Sequence, residues 1–480
     1  MLSYLKLYRF QFLLAFASAL LYVAFAYDLE RSDFARLISL YGALFFICYR
    51  LLKISKGLFW SLAVAGVIFR ILFMGAIPNL SQDFYRFIWD GRVLLQGFNP
   101  YLFTPDMYSK DPSIVSGFSM FQAKELIRGM GTLNASHFSN YPPLNQFFFG
   151  IAALFAGKSI VGSVVVLRMI VILADLGILY FGKKLLTKLG KDPHLIFWYF
   201  LNPFIIIELT GNLHFEGVML FFVIWSLYLL HSGKWIWAAI ALGLSVSVKL
   251  LPLMFLPLFF NYYRKRANPN LPKPSNTVEE SVKINVPVSQ APYGIKKLLL
   301  FYALTMGTIL LSFAPFLSSE FVANFLTTIA LWFQNFEFNA SVYYMIRWIG
   351  YQVVGWNIIA TVGKVLPILV LVFVLGLTFF RKNKTTEQLI TGLLFGVSFY
   401  FLLSTTVHPW YVVTPLTLCL FTRYRFPIVW SLLVMLSYSA YGASGFEENL
   451  WLVATEYTVV IGYAAWEVYH NGRKPLLSFK

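Results

Sequence analysis

The stretch SQDFYRFIWDGRVLLQGFNPY, residues 81–101, decides both the fold and the candidate site. The chain has only 12% charged residues, yet this stretch carries four charged side chains close together: Asp83, Arg86, Asp90 and Arg92. The first three are separated by three, four and seven positions, a spacing that predicts a short helix with these side chains on one face. The stretch follows an apolar run, 57–78, which is long enough to cross a bilayer. A dense polar cluster is therefore expected where a membrane helix emerges into water.

The ends and the second face of this helix can also be predicted. Gly97 and the Asn99-Pro100 pair are expected to terminate it. The apolar side chains between the charges form a second face, which we expect to lie on the membrane surface. These are Phe84, Phe87, Ile88, Leu94 and Leu95.

The composition indicates an all-α polytopic membrane protein. Hydrophobic residues make up 59% and aromatic residues 19% of the 480 positions, and the mean hydropathy is +0.69. No water-soluble core needs that much apolar surface. The two cysteines, Cys48 and Cys419, both lie in apolar runs, which argues against a disulfide framework or a thiolate metal site. The net charge of +17 is assigned to cytoplasmic loops and not to nucleic-acid binding, because the basic residues cluster between apolar runs.

The alternation of apolar runs and basic clusters predicts about 12–14 transmembrane helices in a single domain, residues 1–480, with a cytoplasmic N-terminus. Residues 78–141 form a first extracytoplasmic loop that is too long to be structureless and should be partly helical. Residues 263–297 are expected to form a disordered cytoplasmic linker, and residues 317–355 a second extracytoplasmic loop. The apolar run 144–157 is short for a full crossing and is expected to be re-entrant or partly buried.

The same charge rule places the unusual polar groups on the outer side of the membrane. Ionisable groups at membrane depth are costly, so each is a functional candidate by default. The set comprises Asp83, Asp90, Tyr141, Asn212, His214, Glu216, Lys249 and His408.

Two of these groups of residues have competing structural interpretations. Asp83 and Asp90 are candidate acids or bases that could deprotonate a sugar hydroxyl, or they pair with neighbouring arginines to solvate a loop. Asn212 and Glu216 lie at the start of an apolar run, where Asn212 could instead cap a helix with Glu216 in its first turn. His214 and Glu216 could bind a metal, but two ligands on one helix are weak support.

The remaining candidates are isolated charges. Lys249 could bind an anion such as a lipid phosphate, or extend to an interface. His408 precedes a proline at a helix start and could contact a phosphate or hydroxyl, or it could be a buried or a capping histidine. Arg168 lies inside an apolar run and is expected to pair with Asp175.

Several motifs, spread over about residues 57–425, resemble those of the GT-C superfamily of integral-membrane glycosyltransferases. The most similar group is the bacterial polyprenyl-phosphate-mannose-dependent mannosyltransferases and their relatives, which include the enzyme that adds the first mannose to GPI anchors. The motifs are the opening stretch, YPPLNQ, NPFIIIELTGNLHFEG, VKLLPLMFLP and HPWYVV. The resemblance implies a GT-C-like helix bundle, a polyprenyl-phosphate sugar donor, a glycan or lipid acceptor, and an outward-facing site in a bacterial inner membrane.

The resemblance also implies roles for individual residues. Asp83 would be the catalytic base of an inverting direct displacement, and Lys249 and His408 would meet the donor phosphate. The remaining substrate-binding positions would be Arg86, Asp90, Arg92, Tyr141, Asn212, His214, Glu216 and Tyr411. Many relatives carry an Asp-x-Asp pair, but here Phe84 and Tyr85 follow Asp83, which puts metal dependence in doubt. A divalent cation is a possible cofactor, but no metal ligand is assigned.

Two other functions compete with a glycosyltransferase. A lipid or sugar transporter or flippase predicts mid-membrane polar residues, broken helices and inverted repeats. A non-catalytic envelope scaffold would not need the charged cluster. No Walker A, GxGxxG, HExxH or GxSxG motif is present, which argues against a nucleotide-driven pump or a membrane protease.

Overall fold

A computed structural model describes residues 7–264, 294–334, 336–443 and 445–473, and this part of the chain is almost entirely helical. The α-helices, in chain order, are α1 (Arg9–Asp28), α2 (Phe34–Ile54), α3 (Phe59–Ile71), α4 (Asp83–Leu95), α5 (Pro105–Lys110), α6 (Ala123–Ser136), α7 (Pro143–Ala156), α8 (Ile160–Lys188), α9 (Phe197–Phe200), α10 (Pro203–Ile205), α11 (Glu216–His231), α12 (Trp235–Val248), α13 (Phe259–Tyr263), α14 (Gly294–Phe313), α15 (Ser319–Gln334), α16 (Val342–Val354), α17 (Ile359–Phe379), α18 (Thr386–Leu403), α19 (Val413–Cys419), α20 (Phe426–Leu433) and α21 (Leu450–Arg473). Shorter helical turns are Pro112–Ile114, Pro193–Ile196, Ile206–Gly211, Leu251–Leu258, Ala314–Phe316, Pro409–Val412 and Val434–Ala440. Two short antiparallel strands, β1 (Tyr441–Gly442) and β2 (Gly445–Phe446), form a hairpin.

This architecture confirms the predicted all-α polytopic membrane fold. Within the described ranges, six helices are long and apolar enough to cross a membrane, or seven if a bent pair is counted as one span. The other apolar helices are shorter, and a 14-residue helix reaches only about 21 Å against a hydrocarbon core of about 30 Å. The sequence predicted 12–14 crossings because several of its apolar runs fold as short helices that hydropathy alone cannot distinguish from full spans.

Helix α4 forms where the charge spacing predicted it, but it does not lie on the membrane surface. Nine of its 13 residues are buried. Phe84, Phe87 and Ile88 are only 1–2% exposed, so the predicted membrane-facing surface is wrong. The Phe87 ring stacks on Phe149 of α7, with centroids 4.6 Å apart and planes 8° apart. The apolar face therefore packs against protein, which leaves the charged face to the rest of the loop.

A glycine permits this packing. A Cβ atom at Gly91 would lie 2.2 Å from the backbone oxygen of Phe149. Side chains other than hydrogen cannot be accommodated at such a distance, so α4 can approach α7 this closely only with glycine at this position. Helix α4 ends at Leu95, and Gly97 follows with φ +82°, as the sequence predicted.

The segment that follows α4 is partly helical, as expected, and contains α5 and α6. Helix α6 is interrupted at Gly131, where φ is 77° and ψ is 165°. The short run after it forms α7, whose 14 residues begin with Pro143. Most of the predicted linker 263–297 lies outside the described residues.

The chain between α8 and α11 contains a bent pair of apolar helices, which is called the broken span below. Pro193–Phe200 and Pro203–Gly211 meet at an angle of 46°. Asn202 caps the second part, accepting a hydrogen bond from the Phe204 backbone N–H at 3.0 Å. The broken span ends in a π-helical turn, Ile206–Gly211, that leads directly into the predicted site residues at 212–216.

Two buried charges support this break, and they are not paired as predicted. Arg168 donates hydrogen bonds to four backbone carbonyls on two segments: Phe73, Met74, Thr210 and Gly211. Asp175 forms its ion pair with Arg70 of α3 at 2.8 Å. The prediction of an Arg168–Asp175 pair is therefore wrong, because a helix from elsewhere in the chain supplies the partner of Asp175.

Candidate active site

Asp83 is the first residue of α4 and is half-buried. Its Oδ1 accepts a hydrogen bond from Asn134 Nδ2 at 3.3 Å. Asn134 lies beyond the break at Gly131, so the interruption of α6 helps to bring this amide to the carboxylate. Burial raises the pKa of the Asp83 carboxyl, while the charge of Lys249 and the Asn134 hydrogen bond act in the opposite direction. A half-exposed carboxylate with a raised pKa is a stronger base than an ordinary aspartate, which suits it to accept a proton.

Lys249 and Glu216 form an ion pair within electrostatic range of Asp83. Lys249 Nζ lies 2.7 Å from Glu216 Oε1, and the lysine side chain is 24% exposed against 4% for the glutamate. Lys249 follows the last residue of α12 and has an extended backbone, while Glu216 is the first residue of α11. The ammonium lies 5.9 Å from the centre of the Tyr141 ring. Tyr141 is itself fixed by its backbone oxygen, which accepts a hydrogen bond from the Tyr101 hydroxyl at 2.6 Å.

A stack of three rings forms another part of the site. The ring of Trp410 lies between His214, at 3.7 Å and 16°, and His408, at 4.5 Å and 5°. Burial and the positive charges of Arg31 and Lys249 lower the pKa of His408 to about 3. Tyr411 is half-buried and meets His408 edge to face, with ring centroids 5.4 Å apart. His408 makes no side-chain cap for the turn that follows it, so its predicted capping alternative is wrong.

Asn212 has a different role from the predicted helix cap. Its Oδ1 accepts from the Leu80 backbone N–H at 2.9 Å, and its Nδ2 donates to the Ile207 carbonyl at 3.1 Å. Helix α11 begins at Glu216 without a side-chain cap. The capping interpretation of Asn212 is therefore wrong, and the residue instead ties the segment before α4 to the broken span.

The other charges of the opening stretch are engaged by the protein itself. Arg86 pairs with Asp90 at 2.8 Å and donates to the backbone carbonyls of Asn134 and His137 at 2.8 and 2.9 Å. Asp90 also accepts from Ser139 at 2.5 Å. Arg86 and Asp90 are fully buried, so their contacts hold the end of α6 against α4.

Arg92 is anchored in a similar way farther along α4. Its guanidinium donates to the backbone carbonyls of Phe121 and Lys158 at 2.7 and 2.9 Å and to the Gln122 side chain at 3.2 Å. The structure thus brings Asp83, Glu216, Lys249 and Tyr141 together, and places Arg86, Asp90 and Arg92 in supporting contacts.

Two residues near the site were not predicted from the sequence. Glu208 lies in the π-helical turn, accepts a hydrogen bond from Tyr438 at 2.8 Å, and has its second oxygen 3.7 Å from His214 Nε2. A lone acid inside an apolar run was a signal for it, the same signal that identified Lys249. Arg31 lies in the turn between α1 and α2, where Asp28, Glu30 and Asp33 surround it in the sequence and no apolar run isolates its charge.

The described residues do not contain a ready metal centre. No three His, Cys, Asp or Glu side chains among them are grouped as metal ligands would be. Asp83 and Glu216 share their cluster with Lys249, whose positive charge opposes a cation at the same place. The donor set of these described residues therefore does not fit a metal ion.

Comparison with known families shows a GT-C-type membrane glycosyltransferase. Residues 38–263 match the family model for the N-terminal domain of alpha-(1->6)-mannopyranosyltransferases, and residues 210–469 match the mannosyltransferase (PIG-M) family. The second match spans more than half of the chain, and the chain belongs to this mannosyltransferase family.

A curated relative points the same way. The chain is 23% identical, over 186 residues, to alpha-(1->6)-mannopyranosyltransferase A of Corynebacterium glutamicum. The match covers 38% of this chain and 34% of that protein, so the chain spans about a third of the relative's length.

Proposed function

We propose that this protein transfers a mannose residue from a polyprenyl-phosphate donor to a hydroxyl of a lipid- or glycan-linked acceptor. One observation carries the proposal: in a chain of a mannosyltransferase family, a half-buried carboxylate, Asp83, lies within electrostatic range of a lysine–glutamate pair. A base and a cation in one cluster are what sugar transfer from a phosphate-linked donor requires.

The reaction is a direct displacement at the anomeric carbon. Asp83 takes the proton of the acceptor hydroxyl as its oxygen bonds to that carbon. The bond between the anomeric carbon and the phosphate oxygen breaks, and polyprenyl phosphate leaves with the electron pair. Because attack and departure occur on opposite faces of the sugar, the configuration at the anomeric carbon inverts.

Cationic and polar groups balance the charge that develops on the leaving phosphate. Lys249 is the nearest such group, since its charge already acts on Asp83. Glu216 holds the Lys249 ammonium in place and balances its positive charge before the donor phosphate is bound. The His408 imidazole and the Tyr411 hydroxyl contribute further polar groups at the end of the ring stack. General-base catalysis accounts for roughly 10²–10⁴-fold, and positioning and charge stabilisation supply the remainder.

An outward-facing site in a bacterial inner membrane is part of this proposal. The distribution of lysine and arginine between apolar runs supports an extracytoplasmic position for residues 78–141. Placing the site there requires a donor that crosses the membrane as a lipid, which agrees with a polyprenyl phosphate carrier.

The test is sugar transfer by the purified protein in nanodiscs. Polyprenyl-phosphate mannose and other polyprenyl-phosphate sugars would be offered with a mixed acceptor pool, with and without EDTA. We expect transfer of mannose that survives EDTA and is lost in Asp83→Asn. Asp106→Asn is the matched control, because Asp106 is a 40% exposed carboxylate in the same loop, paired with Lys110. Turnover of no lipid-phosphate sugar would contradict the proposed function, and full activity of Asp83→Asn would contradict the role of Asp83.

One observation favours a second candidate function, transport of a lipid-linked sugar. The bent helix pair at 193–211 resembles the broken helices that transporters use. Membership of a mannosyltransferase family supports the enzyme instead. Movement of a fluorescent polyprenyl-phosphate sugar across proteoliposomes without any transfer would favour the transporter.

A further inference from the structure

Arg31 is a cation that reaches the candidate site from the N-terminal helical hairpin. It lies in the turn between α1 and α2, far in sequence from every predicted site residue. Both family matches begin after it, at residues 38 and 210, so neither assigns it a role.

The guanidinium of Arg31 is held against the hairpin that precedes α21. Its Cζ lies 3.2 Å from the centre of the Tyr441 ring, a stacked cation–π contact. Stacking fixes the plane of the guanidinium and leaves its edge available for hydrogen bonds. The Nε atom of Arg31 is buried and has no hydrogen-bond partner. A buried, charged donor without an acceptor is costly, and an anion at this edge would remove that cost.

A continuous row of rings connects Arg31 with the ring stack of the site. The ring centroids of Tyr441 and Phe338 lie 5.9 Å apart, and those of Phe338 and His408 lie 5.2 Å apart. Tyr441 is half-buried, as are His408 and Asp83, so each of these side chains keeps part of its surface accessible.

Charge effects agree with this placement. Burial raises the pKa of the Tyr441 phenol, and the charges of Arg31 and Asp83 act on it in opposite directions. Both charged groups therefore lie within electrostatic range of this one ring. Lys249 is already paired with Glu216, whereas Arg31 has no ion-pair partner in the described part of the chain.

We propose that Arg31 binds the phosphate of the lipid-linked donor together with Lys249, so that the N-terminal hairpin supplies the second cation of the site. The inference rests on the function proposed above and extends it to a segment outside the family matches. A planar guanidinium offers two parallel N–H donors to a phosphate, a geometry that an ammonium cannot reproduce.

The first test is equilibrium binding of sugar-free polyprenyl phosphate to protein in phosphatidylcholine nanodiscs. Charged hydrogen bonds contribute about 1.5–3 kcal/mol, so Arg31→Gln should weaken binding by about 10- to 100-fold. Arg31→Lys should fall between that variant and the wild type, because it keeps the charge and loses the fork. Arg36→Gln is the matched control: it changes an arginine of the same hairpin that pairs with Asp28 and is 42% exposed.

A second arm identifies the source of the phosphate. The same variants would be titrated with phosphatidylglycerol in place of polyprenyl phosphate. A loss confined to polyprenyl phosphate supports the proposal. A loss confined to phosphatidylglycerol, or equal affinity of wild type and Arg31→Gln for polyprenyl phosphate, would overturn it.

Kinetics separate a binding role from a structural one. In transfer assays, Arg31→Gln should raise the KM for the donor and leave the KM for the acceptor unchanged, with Arg31→Lys partly restoring the donor KM. If Arg31→Gln does not fold, judged by its melting temperature, Arg31→Lys carries the test with the same direction of change.

Failure of this inference and failure of the proposed function give different results. A wild-type protein that binds polyprenyl phosphate through Arg31 but transfers no sugar would contradict the function and leave the phosphate site standing. An active enzyme with the same donor KM in Arg31→Gln and wild type would contradict the phosphate site alone.

Discussion

Asp83 and Asp90 belong to the same short helix, yet their surroundings are opposite. Asp90 is fully buried, paired with Arg86 at 2.8 Å and bonded to Ser139 at 2.5 Å. Asp83 is half-buried, held by one amide at 3.3 Å and influenced by the charge of Lys249. One carboxylate holds the loop together, and the other keeps part of its surface exposed. The density of a charged motif therefore does not show which of its members carry chemistry.

The largest effect that would sharpen this comparison is on stability at Asp90. Removing one partner of a buried pair costs about 3–5 kcal/mol, because the other charge stays buried and unpaired. Asp90→Asn should therefore lower the free energy of unfolding by about that amount, seen as a much lower melting temperature in detergent. A melting temperature equal to that of the wild type would show that the Arg86–Asp90 pair does not support the loop.

The contact beneath the motif gives a second, smaller stability effect. Gly91→Ala places a Cβ within 2.2 Å of the Phe149 backbone oxygen, so α4 must move away from α7. Overpacking of this kind costs about 1–3 kcal/mol. Gly42→Ala in α2 is the control, because a Cβ there meets nothing within 4 Å. Equal melting temperatures for the two variants would contradict the described α4–α7 contact.

On the chemical side of the comparison, Lys249→Met should raise the donor KM. Loss of a charged contact to phosphate predicts roughly a tenfold change, about 1.4 kcal/mol. The change also leaves the buried Glu216 carboxylate without its ion-pair partner. The double variant Lys249→Met/Glu216→Gln removes both charges and is the matched control for folding. A donor KM unchanged in both variants would remove Lys249 from phosphate binding.

The smallest expected effect is on the pH dependence of the rate, which tests Asp83 as the base. Protonated Asp83 cannot accept a proton, so kcat/KM should fall as pH is lowered through the Asp83 pKa. Because burial raises that pKa, the midpoint should lie above the ordinary aspartate value of about 3.9. The charge of Lys249 lowers the same pKa, so Lys249→Met should move the midpoint to still higher pH. Lys110→Met, at a 74% exposed lysine, should leave it in place, and a midpoint indifferent to Lys249 would contradict Asp83 as the base.

The sequence was sufficient where local rules decide the outcome. Charge spacing predicted α4, and Gly97 marked its end. The short run before Gly157 forms a 14-residue helix that is too short to cross, as its length indicated. Lys249, a lone charge in an apolar context, does lie within electrostatic range of Asp83. Each of these inferences depended only on neighbours in the chain.

The sequence was insufficient where distant segments meet. Arg31 contacts Tyr441, about four hundred residues later, and no local pattern could reveal that contact. Asp175 shares a helix with Arg168 but pairs with Arg70 from another helix. The apolar face of α4 was predicted to meet lipid, since the sequence does not show that α7 covers it.

The most direct test of the account changes each of the two aspartates of α4 to asparagine and measures both properties of each variant. Asp83→Asn should keep a near-native melting temperature, and its kcat for mannose transfer should fall by about 10²–10⁴-fold. Asp90→Asn should lose stability first, with transfer surviving in the fraction that stays folded. The reverse pattern, a stable but inactive Asp90→Asn beside an active Asp83→Asn, would show that the chemistry belongs to the other carboxylate.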